Sequence, residues 1–245
     1  MQPRRAGGEL TFWTESDTHR RTDNVRGRPH SNHGGAPRVL LADDHKLLLE
    51  AFQRLLAPKF EVIGVATDGR ALLDLALRLE PDLVVVDVSM PLLNGIDACR
   101  QLHPRLPSIK WVFLTVNADP DMAVEAFRVG ASAYVLKSSA ASELFAALEH
   151  ALRGSAYITP LVAKGVPLSV FLSRTVHEER DKLTTRQREV LQLLAEGRLM
   201  KEVADVLGVT PRTVAFHKYT IMQELSVRTS AELVQYAVKR GLVSP

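Results

Sequence analysis

One cysteine in 245 residues, Cys99, has no intrachain partner for a disulfide. That sets aside the disulfide-stapled secreted scaffolds and fits a reducing compartment. Cys99 sits in an apolar-periodic stretch, which makes it a small buried side chain rather than a reactive thiol. No apolar run approaches the roughly 20 residues that span a bilayer, so neither a transmembrane helix nor a membrane partner is expected. The first 35 residues are polar and rich in arginine, without the apolar segment of a secretory signal. The expected location is the cytoplasm. Net charge is also scarce, at +3, and by itself gives no argument for a nucleic-acid partner.

The distribution of charge is more informative than its total. Residues 37–155 carry twelve basic and fifteen acidic side chains, whereas residues 183–245 carry nine basic and six acidic. An acidic middle and a basic C-terminal end suggest two modules with different partners. The length suits one large domain or two of ordinary size, and the texture of the chain favours two. Residues 1–36 mix Arg, Gly, Ser, His, Asn and Pro without apolar periodicity and read as a disordered tail. Residues 37–155 read as an α/β domain and 183–245 as a helical one. Residues 156–182 between them read as a linker, with Pro160, Gly165 and Pro167 as turn residues and a short helix around Leu161–Ala163.

In the first module strands alternate with helices. Strands are expected at 38–42, 60–66, 82–86, 110–115 and 133–136, with helices at 46–57, 68–79, 95–103, 121–129 and 142–153. Leu83-Val84-Val85-Val86 is a continuous apolar run, as in a strand covered on both faces. Five strands alternating with five helices imply a doubly wound five-stranded parallel sheet of flavodoxin-like form. Such sheets bind ligands beyond the carboxyl ends of their strands. Asp43 and Asp44 follow the first strand, Asp87 ends the third, Thr115 the fourth and Lys137 the fifth.

Three carboxylates brought together are costly unless a hard cation neutralises them, and oxygen donors of this kind suit Mg²⁺. Magnesium is commonly completed by phosphate oxygens. A carboxylate can accept a phosphoryl group while a lysine and a hydroxyl stabilise the transferring oxygens. The segments Leu40-Leu41-Ala42-Asp43-Asp44-His45, Val86-Asp87-Val88-Ser89-Met90-Pro91 and Gly130-Ala131-Ser132-Ala133-Tyr134-Val135-Leu136-Lys137 resemble the receiver domains of bacterial response regulators. The resemblance implies that Asp87 takes its phosphoryl group from a sensor histidine kinase. It also implies that Asp43, Asp44, Asp87 and the backbone carbonyl of Ser89 hold Mg²⁺. Lys137 would then pair with the phosphoryl group, Thr115 would move to bond it, and Tyr134 would swing inward as the coupled switch. The resemblance further implies that the positions of Ser89 and Asn117 flank the pocket and influence how long the phosphoryl group lasts. No enzymatic activity is expected beyond assistance to the protein's own phosphorylation and dephosphorylation. An aspartate-nucleophile phosphatase would need a second aspartate two residues after the nucleophile, where Ser89 stands.

The second module reads as four helices. Thr184 or Thr185 caps the first, and a short helix follows over Met200–Leu207. After the turn at Gly208-Val209, Thr210 is a good N-cap with Pro211 at the first helical position. Two short helices joined by a glycine-containing turn form a helix-turn-helix whose second helix enters the major groove of DNA. The face left after Val214, Ile221, Met222 and Leu225 are assigned to the core carries Arg212, Thr213, Ala215, Phe216, His217, Lys218 and Tyr219. The segments Leu183–Leu191, Lys201-Glu202-Val203-Ala204 and Thr213-Val214-Ala215-Phe216-His217 resemble the LuxR-type helix-turn-helix.

Joined to a receiver, this module is similar to that of the NarL/FixJ class of regulators. The resemblance implies phosphate contacts from Lys201, Thr213 and Lys218 and base-facing positions at Ala215, Phe216 and Tyr219. His217 is a further candidate DNA contact. Glu189 reads as a helix-orienting charge within its own domain. The last helix, 229–240, has apolar residues to spare for a homodimer formed on phosphorylation, and RNA polymerase is a further candidate partner. Two rivals stand beside this reading. One is a phosphorylation-independent DNA-binding regulator with a vestigial receiver, the other a protein-interaction adaptor.

Overall fold

The computed structural model describes residues 35–173 and 183–243. The expected tail over 1–36 and the charged stretch 177–182 of the expected linker therefore lie almost wholly outside the described residues.

Strands β1 (Arg38–Ala42), β2 (Glu61–Ala66), β3 (Leu83–Asp87), β4 (Lys110–Thr115), β5 (Ala131–Leu136) and β6 (Tyr157–Ile158) form one parallel sheet in the order β2-β1-β3-β4-β5-β6. Every residue of β3 is buried. Val84 and Val86 point into one core layer while Leu83 and Val85 point into the other. This is the alternation that a continuous apolar strand needs when helices cover both faces. Helices α2 (Gly69–Leu79), α3 (Gly95–Leu102) and α4 (Pro120–Arg128) line the first layer, and α1 (Lys46–Leu56) and α5 (Ala140–Leu152) the second.

Local chemistry sets the helix starts. Asp68 accepts a hydrogen bond from the backbone N–H of Ala71, Asn94 from that of Asp97, and Asp119 from that of Asp121. Each satisfies a donor that the helix itself cannot. The doubly wound fold expected from sequence is the one observed, but the sheet has six strands rather than five. The extra strand is only two residues long, and a dipeptide carries no periodicity to recognise. It pairs Ala133 with Tyr157 and Tyr134 with Ile158. Thr159, fully buried, anchors the return: its backbone N–H donates to the Tyr134 carbonyl and its hydroxyl donates to Glu143. Two short helices, α6 (Pro160–Ala163) and α7 (Leu168–Leu172), then follow, and Val162 and Phe171 complete the core layer beside α4. Much of the stretch read as a linker is thus packed on the sheet.

The C-terminal module comprises α8 (Thr185–Ala195), α9 (Met200–Leu207), α10 (Pro211–Glu224) and α11 (Ser230–Lys239). Thr184 and Gln187 form a reciprocal capping box at α8, and Thr210 caps α10 with Pro211 in the first turn. Gly208 closes α9 in the left-handed conformation, φ +63°, which costs glycine little. Val190, Leu191, Val203, Val214, Ile221 and Leu233 make a core of their own.

Candidate functional site

The carboxyl ends of four strands, β1, β3, β4 and β5, converge on one site. Asp43 and Asp87 are almost wholly buried there, Asp44 lies at the rim, and Lys137 fills the space between them. The Lys137 ammonium is 2.8 Å from Asp43 Oδ2 and 2.9 Å from Asp87 Oδ2. The His45 backbone N–H donates to Asp43 Oδ1 at 2.9 Å, and its ring Nδ1 stands 3.0 Å from the same oxygen and 2.8 Å from Asp44 Oδ1. Ligand atoms of Asp43, Asp44, His45 and Asp87 all lie within 4.8 Å of one another. Such an oxygen-dominated acidic set fits a hard divalent cation.

Burial pushes the Asp87 carboxyl up to about 6, against the pull of the adjacent Lys137 ammonium and the Ser89 backbone N–H that bonds to it. Burial acts the other way on Lys137, but hydrogen bonding to Asp43 and the charge of Asp87 outweigh it and raise its pKa. The dependence is one-sided: removing Lys137 leaves Asp43 and Asp87 buried without their counter-charge, whereas removing Asp87 leaves Lys137 paired with Asp43. Gly95 permits this packing, since a Cβ there would meet the Asp87 carbonyl oxygen at 2.2 Å.

Thr115 is buried at the end of β4, its hydroxyl accepting from the Asn117 backbone N–H at 3.0 Å. Tyr134 is expected from sequence to swing inward during switching. Here it already lies inward and fully buried, hydrogen-bonded to Thr115, with its hydroxyl 3.5 Å from the Asn117 carbonyl. Burial, only partly offset by the bond to Thr115, pushes the phenol pKa up.

On the second module, α10 presents the expected face. Phe216 and Tyr219 are 68% and 65% exposed, whereas Val214 and Ile221 point into the core. Ala215 and His217 lie half-buried beside them, His217 edge-on to the Phe216 ring at 5.9 Å. Lys201 is exposed on α9. Lys218 Nζ donates to Ser230 Oγ at 2.9 Å, and the Thr213 hydroxyl shares a hydrogen bond of 2.9 Å with that of Thr210. On α11, Leu233 and Ala237 are buried in the domain and Val234 is 38% exposed. The apolar excess available there for a second copy is smaller than the sequence suggests.

Sequence reasoning missed a third group of residues, those joining the modules. Gln192 of α8 is fully buried against the loop between β3 and α3. Its Oε1 accepts from the Asn94 backbone and side-chain amides at 2.8 and 3.1 Å, and its Nε2 donates to the Met90 carbonyl and to Glu196, both at 2.9 Å. Glu196 accepts from the Leu92 backbone N–H, and Arg188 Nε donates to Asp97 Oδ1 at 2.7 Å. Glu189 pairs with Arg186 in its own helix, but also with Arg70 of α2 and Gln101 of α3. It is an interdomain charge and not only an intradomain one. The available signal was Gln192 itself, a polar residue within the apolar run Val190–Leu194.

Residues 39–149 match the response regulator receiver domain family, and residues 181–237 match the luxR family of bacterial regulatory proteins. The response regulator GacA of Pseudomonas aeruginosa is 32% identical over 208 residues, which cover 84% of this chain and 97% of that protein. The transcriptional regulatory protein LiaR of Bacillus subtilis is 35% identical over 214 residues, covering 84% and 99%. Among solved structures, the RcsB response regulator of Salmonella typhimurium superposes with a TM-score of 0.58 at 26% identity, over 84% of this chain and 98% of that one. A structure of two RcsB dimers bound to two parallel DNAs gives a TM-score of 0.51 at 26% identity, over 84% and 99%.

Proposed function

Because the chain belongs to the two-component response regulators that join a receiver domain to a LuxR-type DNA-binding domain, we propose that Asp87 accepts a phosphoryl group from a sensor histidine kinase and thereby controls transcription through α10. The observation that carries this reading is the strand-end site, where Asp87 is buried beside Lys137 and Asp43 and its ligand atoms lie close to those of Asp44. Mg²⁺, held by Asp43, Asp44, Asp87 and the Ser89 carbonyl, would offset the charge of the carboxylates and the incoming phosphoryl oxygens. Lys137, now 2.9 Å from Asp87 Oδ2, would bond the phosphoryl group once it sits on Asp87. Thr115 supplies a hydroxyl for a second oxygen, at the cost of its contact with the Asn117 amide. Tyr134 follows Thr115 through their shared hydrogen bond, and β5 carries that change to β6 and the linker helices.

On the DNA side, Lys201, Thr213 and Lys218 serve phosphates, with His217 beside them. Ala215, Phe216 and Tyr219 face the bases. This apolar and aromatic set favours thymine methyls and groove shape over bidentate guanine contacts. Two copies, paired when phosphorylated, would set their recognition helices about one DNA turn apart. Among the described residues no helix is long and apolar enough to cross a membrane, and we place this regulator in the cytoplasm. The receiver acts on no substrate other than its own phosphoryl group. In the test, the purified chain is incubated with Mg²⁺ and a small phosphodonor. Dimer fraction and DNA affinity should rise in the wild type and stay flat in Asp87→Asn. Confirmed phosphorylation with neither quantity changed would overturn the reading.

A further inference from the structure

Lys137 stands in a segment whose two ends are held by one side chain from strand β6's far end. The Leu136 N–H, one residue before Lys137, donates to Thr159 Oγ1 at 3.2 Å. The same hydroxyl donates to Glu143 Oε2, in the first turn of α5, at 2.7 Å. Its own hold is firm. Thr159 is fully buried, and its backbone N–H donates to the Tyr134 carbonyl at 3.0 Å. The Tyr157 hydroxyl meets the same Glu143 oxygen at 3.0 Å and fixes the carboxylate from a second side. Thr159 therefore closes a loop over residues 136–143, with Lys137 inside it.

Within that loop local anchoring is thin. Lys137–Ser139 is a single 3₁₀ turn, and neither its N-cap, Leu136, nor that of α5, Ser139, makes a side-chain capping bond. Helix starts without such bonds rely on partners from elsewhere. The Lys137 ammonium is held by Asp43 and Asp87, but a phosphoryl group on Asp87 gives it a new oxygen to bond. The backbone position of Lys137 then sets what the ammonium can reach. A lysine side chain has much rotamer freedom, so a fixed base reduces what is lost in finding the productive pose.

We propose that Thr159, together with Glu143, is a positioning residue for Lys137, and that the strand β6 segment thereby belongs to the phosphoryl site. The proposal rests on Asp87 being the phosphoryl acceptor. Thr159 lies beyond residues 39–149, the segment that matches the receiver family. Its hydrogen bonds go to Tyr134, Leu136 and Glu143, so it acts through the place of Lys137. A threonine suits the task. Its hydroxyl donates once and accepts as well, and its β-branched side chain has few rotamers to leave for. The groups assigned to Mg²⁺, on Asp43, Asp44, Asp87 and Ser89, all lie outside the closed loop. Thr159 should therefore bear on phosphoryl transfer and not on cation binding.

The experiment uses the full chain and three variants. Thr159→Val keeps the shape and removes the hydroxyl, Thr159→Ser keeps the hydroxyl, and Glu143→Ala frees the far end of the loop. Thr159→Val is also made in a Lys137→Ala background. Phosphoryl uptake from a small phosphodonor is timed at saturating Mg²⁺, and Mg²⁺ affinity is measured by calorimetry. Thr159→Val should slow uptake about fivefold, the scale of one or two hydrogen bonds, and Thr159→Ser should recover most of the rate. Glu143→Ala should slow it by a smaller factor, which keeps the test decisive if Thr159→Val folds poorly. In the Lys137→Ala background Thr159→Val should slow uptake no further, because the group it places is gone. Mg²⁺ affinity should fall in none of the three variants. Equal slowing in both backgrounds would overturn the positioning role, as would slowing matched by weaker Mg²⁺ binding. Unchanged uptake in both Thr159→Val and Glu143→Ala would overturn it too. No uptake by the wild type would instead overturn the assignment of Asp87, and the role of Thr159 with it.

Discussion

The strand-end pocket and the face of α10 are built on opposite terms. In the pocket, charges are spent on one another: Lys137 bridges Asp43 and Asp87, and His45 faces Asp43 and Asp44. On α10, Phe216 and Tyr219 lie open to solvent and spend nothing inside the chain. An enclosed site declares its chemistry through the partners it already holds. An open face declares only the type of partner, because the selectivity lies in surfaces that the chain does not contain. Changes in the pocket should therefore alter function and stability together, in a direction set by which charge is removed, whereas changes on α10 should be felt in binding alone.

The sharpest way to break this contrast is Asp87→Asn, which is expected to abolish phosphoryl uptake completely, read by mass or by gel retardation. Retained uptake would move the acceptor elsewhere. Next in size is Lys137→Ala, which leaves Asp43 and Asp87 buried without their cation. It should lower unfolding free energy by roughly 2–4 kcal/mol in chelator, read by denaturant titration, with part of the loss restored by added Mg²⁺. An unchanged midpoint would mean that the carboxylates are better hydrated than their burial implies.

A smaller effect of opposite sign belongs to Asp87. Its carboxyl is raised to about 6, so the folded state binds more protons than the unfolded state between the unfolded value, near 4, and 6. The ionised group then lowers stability, and the loss develops as pH rises through that window. Without Mg²⁺, Asp87→Asn should be more stable than the wild type above pH 6 by about 1–3 kcal/mol, and this advantage should fade as the pH falls towards 4. A constant difference across pH would disprove the linkage.

On α10 the expected changes leave unfolding midpoints alone. Phe216→Ala should weaken binding to the preferred DNA site by about tenfold, consistent with about 1–3 kcal/mol for a base-reading contact, with little change on random DNA. Equal weakening on all DNA would make Phe216 a general contact rather than a reader. The smallest effect is that of Lys218→Ala, which should reduce the slope of log affinity against log salt by about 1 without altering site preference.

How much of this was legible beforehand differs from element to element. The run Leu83–Val86 announced a doubly covered strand because burial on both faces needs apolar residues at every position. Asp68 and Thr210 start helices through bonds to N–H groups only three residues on, which makes them readable from short patterns. The five pocket residues could be brought together because strand ends in a parallel sheet share one edge, whatever the details of packing. Strand β6 could not be read: Tyr157-Ile158 is a strand only because β5 is there to pair with it, and Thr159 because Glu143 receives its hydroxyl.

Sequence alone thus determined the two modules, the order of their elements and the identity of the pocket, since each follows from local periodicity, capping or the topology of a parallel sheet. Tertiary structure alone decided how the modules meet. The residues at that meeting, Leu92, Asn94, Gln192 and Glu196, come from stretches about a hundred positions apart, and each has an ordinary local role as a turn, cap or helix residue. Their joint role comes from hydrogen bonds across the chain, and those depend on where α8 comes to rest.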